Sequence, residues 1–226
     1  MTVHFHREME LVKAQILRLG TMAEEQLYYA IRAVEEFDED LAHKVIIKDD
    51  LIDQKEVEIE EDCLKVMALH QPVAIDLRLL VSVMKINSDL ERVGDTAVNI
   101  AETVSFLKAN QDPVRKEFEF STMAEKVRIL FRRSLDSLIN LDEKEALEVC
   151  SADDEIDAMH RNMYQMIEEK IQKKPAQVGV YLRYLLISRN LERVGDHATN
   201  IAEDVLYMVR GRIFRHTHED DSQFKE

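Results

Sequence analysis

The sequence predicts an all-α protein built as two tandem, pseudo-symmetric, antiparallel three-helix bundles, six long helices in all. Three observations carry that expectation. The 226 residues contain only five Gly and three Pro, while 33% are charged, so turn chemistry is scarce and the residues that favour helices dominate. Apolar residues recur at helical spacing, and nowhere does a strand-like alternation persist. The segment from Leu90 to Val104 matches the segment from Leu191 to Val205, without a gap, at twelve of fifteen positions. A match of that quality marks a duplication, so the second half repeats what the first half builds.

The elements follow in order. Leu11, Ala14, Ile16, Leu19, Met22, Ala23, Leu27 and Ala30 form the apolar stripe of a first helix. "FDEDLA" around Asp38 interrupts it, and "LHQPVAID" around Pro72 ends a second. The third runs through "LRLLVSVMKINSDLERVGD" and is expected to stop at Asp112 and Pro113 in "KANQDPVRKEF". That stop divides the chain into a first repeat over 1–112 and a second over 113–226. Thr122 with Glu125 has capping-box spacing and marks the start of the fourth helix, and Asp142 with Glu145 in "NLDEKEA" marks the fifth. Met159, Met163, Met166 and Ile167 line the fifth, and "KKPAQVG" around Pro175 separates it from the sixth.

"LRLLVSVMKI" and "YLRYLLIS" could pass for strands, but each leads into the pattern of "ERVGD" and "NIAE" with no turn residue between, so both read as buried helix. Helices of roughly thirty residues would be about 45 Å long, and their short connections force antiparallel neighbours. The terminal "FRHTHEDDSQFKE" loses apolar period and is expected to fray. His216 and His218 on that tail are not expected to hold a metal.

Composition excludes several functions. A formal charge of −15 lacks the lysine and arginine footprint that binding to a nucleic-acid backbone needs, and it suits cations or basic partners instead. Cys63 and Cys150 form no CxxC pattern and read as reduced, buried thiols. No run of eighteen apolar residues occurs, and "MTVHFHREME" has acidic residues where a signal peptide would be apolar. The expectation is a cytoplasmic protein that meets the membrane only through protein partners.

The chemistry lies on helix faces. Glu91, Asp95, Asn99 and Glu102 fall at i, i+4, i+8 and i+11, one face of a helix, and Glu192, Asp196, Asn200 and Glu203 repeat it. Asp49 with Asp53, and Asp153 with Asp157, add an i, i+4 pair from the middle helix of each half. Middle and third helices are neighbours in a three-helix bundle, so the pairs can face one another and offer four carboxylates to a cation. Like charges four apart cost a few tenths of a kcal/mol, and a helix-interior glycine such as Gly94 or Gly195 costs about 1 kcal/mol relative to alanine. Competing readings stay open. The carboxylates can form a solvated face, Arg92, Arg193, Lys48 or Lys55 can pair with them, and the glycines can serve only to let helices approach.

His160 and His197 lie near the second-half motifs, where the first half has Glu56 and Thr96. His197 projects about 100° around the helix from Asp196, which fits a polar contact better than a ligand. No Ser, His and Asp arrangement, phosphate-cradling loop or HExxH occurs, so catalysis is not expected. A di-metal enzyme and a purely structural helical scaffold are the alternatives to a regulator.

"DLRLLVSVMKINSDLERVGDTAVNIAE" from Asp76 and "YLRYLLISRNLERVGDHATNIAED" from Tyr181 resemble the paired signatures of the PhoU family, accessory regulators of bacterial phosphate-specific transport. The resemblance covers nearly the whole chain. It implies negative regulation of phosphate uptake and of the phosphate-starvation response, through the transporter's cytoplasmic ATPase subunit and a membrane sensor histidine kinase. It also implies a homodimer, and metal ions on E(D)xxxD motifs, in some members as multinuclear iron or zinc clusters. That pattern matches Glu91 with Asp95, Glu192 with Asp196, Asp49 with Asp53, and Asp153 with Asp157. One departure is that Arg78 lies thirteen residues before Glu91 whereas Arg183 lies nine before Glu192, so the two arginines differ in register or in role.

Overall fold

The computed structural model describes residues 3–110 and 120–212. Among them the secondary structure is helical throughout, with no strand. The helices are α1 (Val3–Glu36), α2 (Glu39–His70), α3 (Ile75–Ala101), α4 (Thr103–Ala109), α5 (Phe120–Asn140), α6 (Glu143–Lys173) and α7 (Val178–Arg210), with a short 3₁₀ turn at Pro175–Gln177 before α7. α4 continues α3 after one irregular residue, Glu102, so each half has three helical arms. At the interruption the Thr103 hydroxyl donates to the Ile100 carbonyl at 2.7 Å. The repeat-equivalent residue, Asp204, lies within an unbroken α7. The expected repeat boundary at Asp112 and Pro113, the tail from residue 213 onward, and His216 and His218 lie outside the described residues.

The turns show the duplication. Phe37 (φ 53°) and Leu141 (φ 48°) occupy the left-handed region at the same point of each half. Each is followed by an aspartate that caps the next helix: Asp38 accepts from the Leu41 amide at 2.9 Å, and Asp142 from the Lys144 and Glu145 amides at 2.9 and 3.1 Å. Such caps satisfy amides that would otherwise lack an intrahelical partner. The expected return arm of the Asp142 capping box is missing, because Glu145 reaches across to Arg133 instead. Thr122 does not cap the fourth helix either. α5 is already helical at Phe120, and Glu125 pairs with Arg128 at 2.8 Å.

In α1 the buried stripe is Val12, Ile16, Leu19, Ala23, Leu27, Ala30 and Val34. Leu11 and Ala14, expected in it, are exposed, since each sits roughly 100° or more around the helix from the line that faces the core. Met166 is likewise exposed while Met163 and Ile167 are buried. The two segments that could pass for strands are helical, and they bury Leu80, Val83 and Ile86 in one half and Tyr181, Tyr184 and Ile187 in the other.

α1, α2 and α3 pack on one another, as do α5, α6 and α7, and the halves join chiefly where α3 crosses α7, with α1 against α5 beside it. α3 and α7 run antiparallel. Arg78, near the start of α3, lies against Gly211 at the end of α7, and Arg183, near the start of α7, stacks 4.4 Å over the Phe106 ring of α4. The gapless match of α3 to α7 places Gly179 opposite Arg78 and Ser82 opposite Arg183, so the two arginines are not equivalent residues. Both motif-bearing helices therefore sit at the centre of the molecule, each with one face to its own bundle and one to its twin.

Candidate metal centre

The carboxylates of each half gather where the middle helix crosses the motif helix, and glycine makes the crossing close. A Cβ on Gly94 would sit 2.9 Å from Asp49 Oδ1 and 3.1 Å from Ile52 Cδ1. One on Gly195 would sit 2.6 Å from Asp153 Oδ1, closer than real Cβ atoms come. Each glycine thus leaves a notch in the motif helix, and the first aspartate of the neighbouring pair fills it. The close-approach reading of the glycines and the site reading describe the same contact.

Asp49 Oδ1 and Asp153 Oδ1 are buried and have no hydrogen-bond partner. Burial first, then Asp53, Asp95 and Glu91, push the Asp49 carboxyl up to about 7. Burial, then Asp196 and Asp157, push Asp153 up to about 6, with the neighbouring Thr199 hydroxyl restraining the rise. Asp53, Glu91, Glu192 and Asp196 are raised as well, each by burial before charge. Unpaired carboxylates that share a half-buried site resist ionisation, and a cation at their centre would remove both the repulsion and the orphaned lone pairs.

In the second half, one carboxylate oxygen from each of Asp153, Asp157 and Asp196 lies within 4.8 Å of the others. Two ligands on opposite sides of one ion stand about 4–5 Å apart, so this set fits a single cation. Among the described residues no second group of three is drawn together as tightly, and Asp49, Asp53 and Asp95 stand wider. Glu91 and Glu192 are half-buried at the edges of their clusters.

Of the more distant positions on the motif face, Asn200 turns away from the cluster: its amide donates to Asp89 of α3 at 3.2 Å. Glu102 is exposed at the break between α3 and α4, Asn99 is half-buried, and Glu203 lies close enough to Cys150 to add to the rise that burial gives the thiol pKa. Of the basic residues expected near the first cluster, Lys48 sits over the Tyr29 ring and Lys55 pairs with Glu58 at 2.7 Å, while Arg92 partly offsets the rise that burial gives the Glu91 carboxyl. In the second cluster the exposed Arg161 approaches Asp157 Oδ2 at 3.3 Å.

The sequence did not reveal a polar joint between the halves. His197 Nδ1 lies 2.8 Å from Asp89 Oδ1, both residues being buried, and Lys85 reaches Asp204 at 3.1 Å. His197 therefore makes a polar contact, beside the cluster and not in it. Asp89 was legible only as a carboxylate two positions before Glu91, and nothing local to it points to a partner more than a hundred residues away.

A model of the PhoU domain matches the chain twice, over residues 16–104 and 120–205. The chain belongs to the PhoU family. Each PhoU match spans one three-helix half, so the duplicated unit is the bundle with its carboxylate crossing. A Clostridium acetobutylicum protein named as a phosphate-specific transport system accessory protein PhoU homolog is 35% identical over 92% of this chain and 95% of its own length. The Escherichia coli phosphate-specific transport system accessory protein PhoU is 31% identical over 96% of this chain and 90% of its own length. The crystal structure of PhoU from Pseudomonas aeruginosa superposes with a TM-score of 0.89 at 34% identity, covering 92% of this chain and all of that one. The phosphate transport system regulatory protein PhoU from Streptococcus pneumoniae gives 0.82 at 29% identity, covering 92% and 98%. No described helix is long and apolar enough to cross a membrane.

Proposed function

We propose that this protein is a cytoplasmic regulator that restrains phosphate uptake and the phosphate-starvation response when phosphate is plentiful. It acts by binding, as a homodimer, to the ATPase subunit of a phosphate transporter and to a sensor histidine kinase, and it reaches the inner membrane only through them. The observation that carries this reading is the full-length likeness to accessory proteins of phosphate-specific transport. The acidic, helical character of the chain supports binding over turnover.

The same reading includes metal on the two carboxylate crossings. Asp49, Asp53, Glu91 and Asp95 would hold it in one half and Asp153, Asp157, Glu192 and Asp196 in the other. Bound cations would supply positive charge that neutralises the clustered carboxylates and ties α2 to α3 and α6 to α7. The support is physical: orphaned buried oxygens, glycine notches and an oxygen-rich donor set suited to hard or borderline ions such as magnesium, manganese, iron or zinc.

A deletion strain grown in high phosphate is expected to express its phosphate-starvation genes, and the wild-type gene should restore repression. Normal repression in the deletion strain would overturn the regulatory reading.

A further inference from the structure

We infer that the two carboxylate crossings fill in order, the second before the first, because only the second is already drawn to the size of one cation. This rests on the metal reading above and concerns how the two halves differ within it. One carboxylate oxygen from each of Asp153, Asp157 and Asp196 lies within 4.8 Å of the others, and among the described residues the first crossing has no such set. A cation entering the first crossing must draw Asp49, Asp53 and Asp95 together against their mutual repulsion, and that work is subtracted from its binding free energy. At the second crossing the fold has already done it.

The repeat shows which side chains make the difference. The gapless match of α3 to α7 places Val98 opposite Thr199, and the register from Asp49 and Asp53 to Asp153 and Asp157 places Val57 opposite Arg161. Thr199 follows Asp196 by three positions and Gly195 by four, so it lies on the face of α7 that carries the notch. Its hydroxyl stands close enough to Asp153 to favour the ionised carboxylate, and neither that hydroxyl nor Asp153 Oδ1 has another hydrogen-bond partner. Arg161 Nη1 lies 3.3 Å from Asp157 Oδ2. The valines of the first half can donate to neither aspartate.

Thr199 is therefore a positioning residue, which orients Asp153 without being a ligand itself, as groups around a metal site commonly do. Asp153 also enters its notch further than Asp49 does: its Oδ1 is 2.6 Å from where a Gly195 Cβ would stand, against 2.9 Å for Asp49 and Gly94. Arg161 tethers Asp157, but its own positive charge opposes a cation, so the neutral Thr199 is the residue whose removal reads the geometry alone.

The full chain, stripped with a chelator, is titrated calorimetrically with manganese chloride and, separately, with zinc chloride. Two classes of site should appear, about tenfold or more apart in affinity. Asp153→Asn should remove the tight class and Asp49→Asn the weak one. Thr199→Val keeps the side-chain shape and removes the donor. It should weaken the tight class about tenfold and leave the weak class within about threefold, and Thr199→Ser should restore most of the loss. Val98→Thr should strengthen the weak class. An unchanged ratio of the two affinities in Thr199→Val would overturn the role of Thr199. Loss of the tight class in Asp49→Asn, or a single class of equal sites in the wild type, would overturn the order of filling and leave the metal reading standing. Failure of the wild type to bind either ion would overturn both.

Discussion

At the scale of single residues, the two glycines show how a local cost becomes a local requirement. An alanine at Gly195 would gain roughly 0.5–1 kcal/mol of helix propensity, and the only atom closer to its Cβ than ordinary contact is Asp153 Oδ1, at 2.6 Å. That oxygen has no hydrogen bond to lose on rotating out of the notch, although the contact of Asp153 with the Thr199 hydroxyl must adjust. Gly195→Ala is therefore expected to raise the stability of the chelator-treated protein by up to about 1 kcal/mol while weakening metal binding. Urea unfolding and metal titration measure the two effects. A variant that loses stability without metal would show that the notch serves packing alone. Gly94→Ala should gain less, because Ile52 Cδ1 at 3.1 Å must also give way.

At the scale of elements, the crossing of α3 with α7 decides how the halves sit. The repeat makes this contact nearly two-fold, yet its polar groups are not. Asp89 meets His197, whereas the equivalent residues are Asn190 and Thr96, and these bond to carbonyls of their own helices. Lys85 meets Asp204, whereas the equivalents are Leu186 and Thr103. Buried polar groups that find partners only in one arrangement select that arrangement, since an unpaired one costs about 1–3 kcal/mol. Asp89→Ala strands both His197 Nδ1 and the Asn200 amide. It should lower the unfolding free energy by about 1–3 kcal/mol, with the melting temperature falling by about 2–4 °C for each kcal/mol at this chain length. A double-mutant cycle with His197→Ala should show strong coupling; additive effects would place the stabilisation elsewhere.

For the whole molecule, the raised carboxyl groups link stability to pH and to metal. Asp49 is pushed up to about 7 and Asp153 to about 6 from an ordinary value near 3.8. Between those limits the folded chain binds more protons at these sites than the unfolded chain, so their contribution to stability falls as pH rises through the window and is lowest above it. Asp49→Asn mimics the protonated form. In chelator it should raise the melting temperature at pH 8 and leave it nearly unchanged at pH 5, as read by calorimetry. Equal effects at both pH values would separate Asp49 from the titration. Cation binding should release protons near pH 6 and raise the melting temperature more at pH 8 than at pH 5, because the ligands must ionise to bind.

The sequence by itself determined the helices, the duplication and the faces on which Glu91, Asp95, Glu192 and Asp196 lie. These follow from a period of 3.6 residues and from self-comparison, which are local properties of the chain. It also showed that middle and motif helices would be neighbours, since short connections leave an antiparallel hairpin no alternative. The first turn of the apolar stripe and the start of the fourth helix were misplaced, because a stripe can drift by one residue and a capping pattern can occur inside a helix. Tertiary structure alone decided that Asp49 and Asp153 enter glycine notches and that Asn200 turns to Asp89. It also decided that, among the described residues, three carboxylates converge tightly in only one half, and that His160 meets Ser188. Those outcomes depend on how far one helix slides and rotates against another, which is set by contacts between residues distant in sequence, and helical spacing carries no record of them.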